Sequence, residues 1–330
     1  MSFLKELERR AKGLPPATIV YPEPEDERIV KAASLVAERG IAKPVLVGPS
    51  HAIPKRVPRD VAVEVTDDSP RLEEYAGIYA ARRGQAAGGR AERVARRIVE
   101  KPLVYAAMMV RCGHADGMVA GIAHPTASLL QAAGLAIGYQ EGIRTPSSCF
   151  IMVLPQFRGE REVALIFADC AVVVDPTAGQ LADIAVAAAR SARQFLGVTP
   201  RVAMLSFSTR GSAAHAAVDK VKEATELAAE RIKDGHVDGE LQIDAALNPA
   251  VAAKKGAGDS EVAGKANVLI FPDLNAGNIC YKAVRELAGA QAIGPVLQGF
   301  ARPVNDLSRS ASVEDVVATT VIAVLQAAAG

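Results

Sequence analysis

Short apolar runs alternate along the chain with longer segments whose apolar residues recur at helical spacing. Such runs, bounded by Gly, Pro or charged residues, are typical of buried strands. They lie at 17–21, 44–48, 61–65, 115–121, 150–155, 162–169, 201–207, 267–271 and 292–299. Nearly continuous apolar strands between helices indicate an α/β fold, with a mostly parallel sheet covered on both faces.

Helical periodicity fills most of the intervals between these runs. The first helix is predicted to begin at Asp26 and to stop at Gly40. The others are predicted at 70–83, 90–112, from about 126, and at 177–195, 212–233, 276–288 and 312–328. The polar connection 156–161 suits a hairpin between two of the runs. Because ligands of such sheets bind beyond the carboxyl ends of the strands, the loops after strands are the candidate sites.

Composition narrows the class of protein. A chain of 330 residues exceeds the usual size of one core, so two domains are expected. With 38 basic and 37 acidic residues, the net charge of +1 favours neither nucleic acid nor membrane as a partner. The four cysteines form no CxxC pair and no metal-ligand cluster is apparent, so neither zinc nor a disulfide framework is expected. The charged N-terminus and the lack of a spanning segment predict a cytoplasmic protein.

The loop Ser208-Thr209-Arg210-Gly211 joins a predicted strand to a predicted helix. Its hydroxyls, arginine and flexible glycine suit a phosphate cradle at a helix N-terminus. The alternative is an N-cap serine with a turn glycine, and the residues leave both open. No Walker A motif and no GxGxxG motif is present, which speaks against a nucleotide-dependent dehydrogenase.

The stretch PVNDLSRSASVED precedes the last predicted helix. Ser312 and Asp315 have the spacing of a capping box, which would give the carboxylate a structural role. Capping does not require Ser308-Arg309 ahead of it. An arginine there can clamp a phosphoryl or carboxylate group bidentately, and a surface ion pair is the alternative.

Six long motifs recur in the order and spacing of one known family. They are MMVRCGHADGMVAG, FADCAVVVDPTAGQLADIA, SFSTRGSA, LQIDAAL, VLIFPDLNAGNICYK and PVNDLSRSASVEDVV. From about residue 17 to the C-terminus the chain resembles the phosphate acetyl/butyryltransferases, the phosphotransacetylases among them. The resemblance implies reversible acetyl transfer between acetyl-CoA and inorganic phosphate, giving acetyl phosphate and CoA in acetate metabolism. No cofactor is implied beyond the CoA substrate.

The resemblance also implies an architecture. Two doubly wound α/β domains with a cleft between them, similar to isocitrate and isopropylmalate dehydrogenases, would form the chain. The first domain would comprise residues 1–147 and 298–330, and the second 148–297. A homodimer is implied, with the second domain as the expected dimerisation domain. The Ala-rich segment 181–195 is either its interface or internal core.

In the mechanism that the resemblance implies, the CoA thiolate attacks the carbonyl of acetyl phosphate without an acyl-enzyme. Asp315 matches the aspartate that deprotonates the thiol, Ser308 the serine that stabilises the transition state, and Arg309 the arginine that holds acetyl phosphate. Transfer of a proton from a thiol to an exposed aspartate is uphill by roughly 6 kcal/mol. The base must therefore be buried, or arginines must stabilise the thiolate.

Further substrate-binding residues are implied by the same resemblance. Arg82 matches an arginine near the substrates, and Arg28 matches a candidate contact of the CoA phosphates. The loop 208–211 matches a phosphate-binding loop, which supports the phosphate interpretation of Ser208, Thr209, Arg210 and Gly211.

Two positions depart from the family pattern. Gln131 and Glu286 stand where arginines are expected. The loss of two positive charges would weaken CoA binding or accompany a different acyl preference. Alternatives to acetyl transfer are therefore a phosphate propionyl- or butyryltransferase, and a non-catalytic protein that binds acyl-CoA or acetyl phosphate.

Overall fold

The computed structural model describes residues 2–83 and 89–328, without the side chains of 89–91. It divides into two α/β units, which confirms the predicted fold class. The first comprises Phe3–Gln140 and the described residues from Phe300 onward, and the second is Glu141–Gly299. The chain thus changes unit at 140/141 and 299/300, where the sequence predicted 147/148 and 297/298.

The strands and helices follow one another in the alternating order that the pattern predicts. The strands are β1 (Thr18–Tyr21), β2 (Lys43–Gly48), β3 (Ala62–Val65), β4 (Gly117–Ala120), β5 (Ser147–Phe157), β6 (Glu160–Ala168), β7 (Arg201–Leu205), β8 (His236–Leu241), β9 (Val268–Ile270), β10 (Gln291–Gln298) and β11 (Val304–Asp306). The helices are α1 (Phe3–Lys12), α2 (Glu27–Glu38), α3 (Leu72–Arg82), α4 (Gly89–Val99), α5 (Pro102–Arg111), α6 (Thr126–Ala136), α7 (Ala178–Ser191), α8 (Ala216–Arg231), α9 (Ile243–Leu247), α10 (Pro249–Lys254), α11 (Leu274–Ala288) and α12 (Val313–Ala327). A π-helical turn, Ala192–Leu196, continues α7.

Proline divides the single helix that was predicted over 90–112. Pro102 takes the first position of α5, where its missing N–H removes no helical hydrogen bond. The preceding Lys101 is extended, with φ −67° and ψ 129°, because the proline ring disfavours helical backbone before it. The predicted helix is therefore two helices, α4 and α5.

The sheet of the first unit is entirely parallel, in the order β11-β4-β1-β2-β3. Ile19, Val20 and Tyr21 of β1 are fully buried at its centre. The hydroxyls of Tyr21 and Thr320 lie 2.8 Å apart in the core and join β1 to α12. Because β11, β4 and β1 are neighbours, the loops after their carboxyl ends lie side by side at one edge of this sheet.

The sheet of the second unit has the order β10-β5-β6-β9-β7-β8. The predicted hairpin is confirmed, because β5 and β6 pair antiparallel around Arg158 and Gly159, both with positive φ. β10 is also antiparallel to β5, so β5 runs against the other five strands of this sheet. Most residues of α7 are buried within the chain, which selects internal core for the Ala-rich segment.

Candidate active site

Ser308 and Arg309 lie in the loop after β11, and the parallel pairing of β11 with β4 determines where that loop begins. Asp306 pairs with Ala120, and the Leu307 N–H continues the ladder by donating to the Ala120 carbonyl at 2.8 Å. Leu307 is buried, whereas Ser308 and Arg309 are exposed. The buried strand end therefore presents these two side chains to solvent at the edge of the sheet.

Both side chains are free to meet a ligand. The Ser308 and Ser310 hydroxyls lie 2.9 Å apart, and the Ser308 carbonyl accepts from Ala311 N–H at 2.9 Å in a tight turn. The guanidinium of Arg309 has neither an ion pair nor a hydrogen-bond acceptor in the part of the chain that the structure describes. The surface ion pair that the sequence left open is thus absent among those residues, and Arg309 stands in sequence between the two serines whose hydroxyls meet.

Asp315 forms the capping box that its spacing predicts. Its Oδ2 accepts from both the backbone N–H and the hydroxyl of Ser312, each at 2.8 Å, and Ser312 accepts from Asp315 N–H at 3.2 Å. Within the described residues all contacts of this carboxylate use Oδ2, so Oδ1 remains available to a ligand. The side chain is exposed, so burial does not assist it as a base.

Arg28 holds this loop from the side of α2. One Nη donates to the carbonyls of Arg309 and Ala311, both at 2.9 Å. Nε and the other Nη donate to the two carboxylate oxygens of Asp26 at 3.0 and 2.8 Å. In this structure Arg28 thus holds the backbone of the loop, and the contact to CoA phosphates predicted for it, which would compete with these bonds, stays a prediction.

A buried carboxylate organises the loop after β4. Glu23 accepts from the backbone N–H groups of residues 121–124 at 2.8–3.1 Å and lies 2.9 Å from Nδ1 of His124. Burial opposes its ionisation, but His124 and the backbone donors outweigh burial and hold the pKa of Glu23 below its usual range. The hydrogen bond to Glu23 in turn raises the pKa of His124. His124 thus has a structural partner in Glu23.

The structure adds Asp306, which the sequence motif contained without a role. Its side chain is 4% exposed, and its Oδ2 accepts a hydrogen bond from the Thr126 hydroxyl at the start of α6. Burial raises the pKa of Asp306 to about 6, and the charge of Glu23 adds to that effect. This carboxylate stands two residues before Ser308.

Arg82 lies at the C-terminal end of α3 in the same unit. Its guanidinium packs against Gly138, whose φ is +86°, and a Cβ there would come within 2.1 Å of Nη2. The described residues offer Arg82 no ion pair, so its charge is available to a ligand. Gln131, one of the two family departures, is exposed on α6.

The predicted phosphate loop of the second unit is occupied by a carboxylate of the chain itself. Gly211 N–H and the Ser208 hydroxyl donate to Glu240 Oε1 at 2.7 and 2.8 Å. Burial opposes ionisation of Glu240, but these bonds help to lower its pKa. Thr209 exchanges hydrogen bonds with Gln242, one from Gln242 N–H at 2.9 Å and one to its side chain at 3.3 Å.

The rest of that loop is also engaged within the unit. Arg210 pairs with Asp238 at 2.9 Å, and α8 begins only at Ala216, beyond the loop, with His215 as its N-cap. The helix N-terminus that was expected directly after this loop is therefore not there, and the phosphate-binding role of Ser208, Thr209, Arg210 and Gly211 stays a prediction. The cradle geometry is present, but Glu240 fills it.

Glu286, the other position that departs from the family pattern, accepts a hydrogen bond from Arg285 at 2.7 Å, so two opposite charges stand together.

Among residues 2–83 and 89–328, no group of three or more His, Cys, Asp or Glu side chains is placed to hold a metal ion. Over the same ranges, none of the helices combines the length and apolar character needed to cross a membrane.

The chain is similar over nearly its whole length to a known protein family and to solved structures. The family model described as "Phosphate acetyl/butaryl transferase" matches residues 2–324. A phosphate acetyltransferase of Acetivibrio thermocellus is 46% identical over 333 residues, covering 99% of this chain and 98% of the relative. A phosphotransacetylase from Streptococcus pyogenes superposes with a TM-score of 0.89 at 38% identity, covering 99% and 98% of the two chains. The EutD phosphotransacetylase from Staphylococcus aureus gives 0.87 at 36% identity, covering 98% of each chain.

Proposed function

Because the chain belongs to the phosphate acetyl/butyryl transferase family, we propose that it is a phosphate acetyltransferase. It transfers an acetyl group reversibly between acetyl-CoA and inorganic phosphate, giving acetyl phosphate and CoA. One observation of the structure supports a site for this reaction: Arg309, whose guanidinium has no partner among the described residues, adjoins the exposed Ser308 on a loop held by Arg28.

Arg309 and Ser308 supply the binding and the electrostatics of the reaction. The planar guanidinium of Arg309 suits two oxygens of a phosphoryl group, and its exposure leaves both donor edges free. The Ser308 hydroxyl is a donor for the oxyanion that forms when a thiolate attacks the acetyl carbonyl. A single such donor contributes about 10²–10³ in rate in other enzymes. No acyl-enzyme forms, because Ser308 donates a hydrogen bond and does not attack.

Asp315 accepts the thiol proton in this mechanism. Because its side chain is exposed, the uphill transfer of roughly 6 kcal/mol must be offset at the thiolate. The charge of Arg309 stabilises that thiolate. The capping box holds the Asp315 carboxylate through Oδ2, and Oδ1 is left for the thiol.

Acetyl is the favoured acyl group, and a propionyl- or butyryl-transferring relative is the alternative. The departures at Gln131 and Glu286 motivate that alternative. Turnover of acetyl-, propionyl- and butyryl-CoA distinguishes the two, since one methylene changes discrimination by about 10–200-fold. A preference for butyryl-CoA would overturn the acetyl assignment.

The remaining proposals concern the cell and the assembly. The enzyme acts in the cytoplasm as a homodimer, on small-molecule substrates and without nucleic acid. It requires no metal or cofactor, because a thiolate and acetyl phosphate supply the reacting groups themselves. The relatives named phosphate acetyltransferase support the substrates of this proposal.

The test is release of free CoA thiol from acetyl-CoA with and without phosphate. Release should require phosphate and should fall at least ~10²-fold in Arg309→Ala, about 2.7 kcal/mol of barrier. Arg9→Ala removes an exposed arginine of α1 that pairs with Glu6, and it should leave the rate unchanged. Release without phosphate would indicate a hydrolase. No release from any short acyl-CoA would indicate a binding protein.

A further inference from the structure

Asp306 is a buried carboxylate that has no role in the proposed mechanism. Its side chain is 4% exposed at the end of β11, and Oδ2 accepts from the Thr126 hydroxyl at 2.5 Å. Its other oxygen, Oδ1, finds no hydrogen-bond partner among the described residues although it is fully buried. Most buried polar atoms in proteins are hydrogen-bonded, so this oxygen requires an explanation.

Close packing keeps Oδ1 in place. A Cβ on Gly121, whose φ is +121°, would come within 2.2 Å of that oxygen. The Gly121 N–H is itself held by Glu23 at 3.0 Å. A residue with no side chain at position 121 therefore makes room for the Asp306 carboxylate against the loop after β4.

Burial of a carboxylate oxygen without a donor opposes folding. An asparagine has the same shape and carries no charge to desolvate, but its amide puts an NH2 donor in place of one carboxylate oxygen. Groups that oppose stability are characteristic of functional sites, where activity requires them. Asp306 stands two residues before Ser308 and three before Arg309, in the segment that carries the proposed chemistry.

Five neighbouring segments carry charged groups, and only Glu23 among them acts on this carboxylate through its charge. Glu23, after β1, is negative and acts on Asp306 directly, while His124, after β4, is bound to Glu23. Arg28 on α2 is committed to Asp26 and to the loop carbonyls. On its own loop and on α12 the neighbouring charges are Arg309 and Asp315, both exposed.

We propose, on the basis of the proposed acyl transfer, that Asp306 is a positioning residue whose ionised carboxylate orients Thr126 and so aligns the loop after β4 with the loop of Ser308 and Arg309. An ionised carboxylate is an acceptor only, so the Thr126 hydroxyl must donate to it. A protonated Asp306 carries a donor of its own in a site that is packed against Gly121. Activity therefore requires the ionised form, and a small displacement of the reacting groups is enough to slow the chemistry.

The experiment is the pH profile of kcat/KM for phosphate-dependent CoA release by the full-length chain. The wild type should lose activity below about pH 6, where Asp306 takes up a proton. Thr126→Val removes a hydrogen bond that favours the ionised form, so the acid limb should move to higher pH. Thr126→Ser keeps the hydroxyl and should restore the wild-type limb.

Asp306→Asn should lower kcat/KM about 10-fold or more at alkaline pH and should abolish the limb. Near-ultraviolet circular dichroism should show that this variant is folded. Asp116→Asn is the matched control, because Asp116 lies at the opposite end of β4, where it accepts from Thr18 N–H at 2.7 Å. This control should retain the wild-type acid limb.

The outcomes separate this inference from the proposed function. If the wild type is active and the kcat/KM of Asp306→Asn lies within about twofold of the wild-type value, the positioning role is overturned and the proposed function stands. An unshifted acid limb in Thr126→Val would overturn it as well. A wild type without phosphate-dependent release would refute the proposed function, and the positioning role with it.

Discussion

At the residue scale, Asp306 couples stability to pH. Burial raises its pKa from an ordinary value of 3.8 to about 6, so the folded state binds this proton more tightly than the unfolded chain. Its contribution to stability is fully present below pH 3.8 and is lost as the pH rises through about 6. The difference between these two pKa values corresponds to about 3 kcal/mol in the free energy of unfolding. At neutral pH the ionised carboxylate therefore destabilises the fold.

Asp306→Asn should accordingly stabilise the protein at neutral pH. We expect its free energy of unfolding to exceed that of the wild type by about 1–3 kcal/mol near pH 7.5, because the amide need not be desolvated as a charge. The gain should vanish near pH 4. Urea denaturation of both proteins at the two pH values measures it. A variant that is less stable than the wild type near neutral pH would contradict the assignment.

Arg28 and Ser208 show why a residue motif does not reveal the partner of a donor. The resemblance makes both of them candidate contacts of a phosphate group. In the folded chain Arg28 donates to the carbonyls of Arg309 and Ala311, and Ser208 donates to Glu240. Those acceptors lie 281, 283 and 32 residues away along the chain, so only the tertiary structure brings them to the donors.

At the element scale, the first turn of α12 combines a helix cap with the proposed base. The hydrogen bonds between Ser312 and Asp315 begin the helix, and the same carboxylate carries the proton in the proposed mechanism. A structural role and a catalytic role for Asp315 predict different responses to substitution. Substitutions in the first turn of α12 can therefore separate the structural role of Asp315 from its proposed catalytic role.

Ser312→Ala should cost about 1 kcal/mol of stability through the lost cap, with most activity retained. Asp315→Glu keeps the spacing of a capping box, so stability should change little, but activity should fall about 10-fold or more because the carboxylate moves. Thermal unfolding and CoA release measure the two effects. Full activity of Asp315→Glu would leave Asp315 with a capping role alone.

Two strands were missed because their sequences lack an apolar run. β8 reads HVDGEL and β11 reads VND, so neither shows continuous hydrophobicity or clean alternation. Asn305 and Asp306 of β11 are nevertheless buried, because β4 pairs with this strand and α12 covers it. Tertiary burial here overrides the local preference of the residues.

At the scale of the whole molecule, the exposed apolar side chains of α11 offer a surface for the proposed dimer. α7 is internal to the second unit, so the dimer must use other residues. Ile279 and Leu287 on α11 are 66% and 87% exposed, and their spacing of two helical turns places them on one face. Large exposed apolar side chains on one face are typical of interfaces.

Light scattering should therefore give about twice the mass of one chain at micromolar concentration. Leu287→Glu should shift the protein toward the monomer, because it buries a charge in the contact. Val94→Glu, at an exposed apolar position on α4 of the first unit, is the matched control and should leave the mass unchanged. A monomeric wild type would refute the dimer, and a dimer unaffected by Leu287→Glu would place the contact elsewhere.

The sequence by itself determined the alternation of strands and helices, the two α/β units, the β5–β6 hairpin and the family motifs around Ser308, Arg309 and Asp315. These features follow from hydrophobic periodicity and from short stretches of neighbouring residues. Only the tertiary structure decided that Glu23 holds the loop after β4, that Thr126 donates to Asp306, and that Glu240 fills the predicted phosphate cradle. Each of these contacts joins segments that strand order makes neighbours, and the balance between burial and hydrogen-bond donors then sets the pKa of each carboxylate.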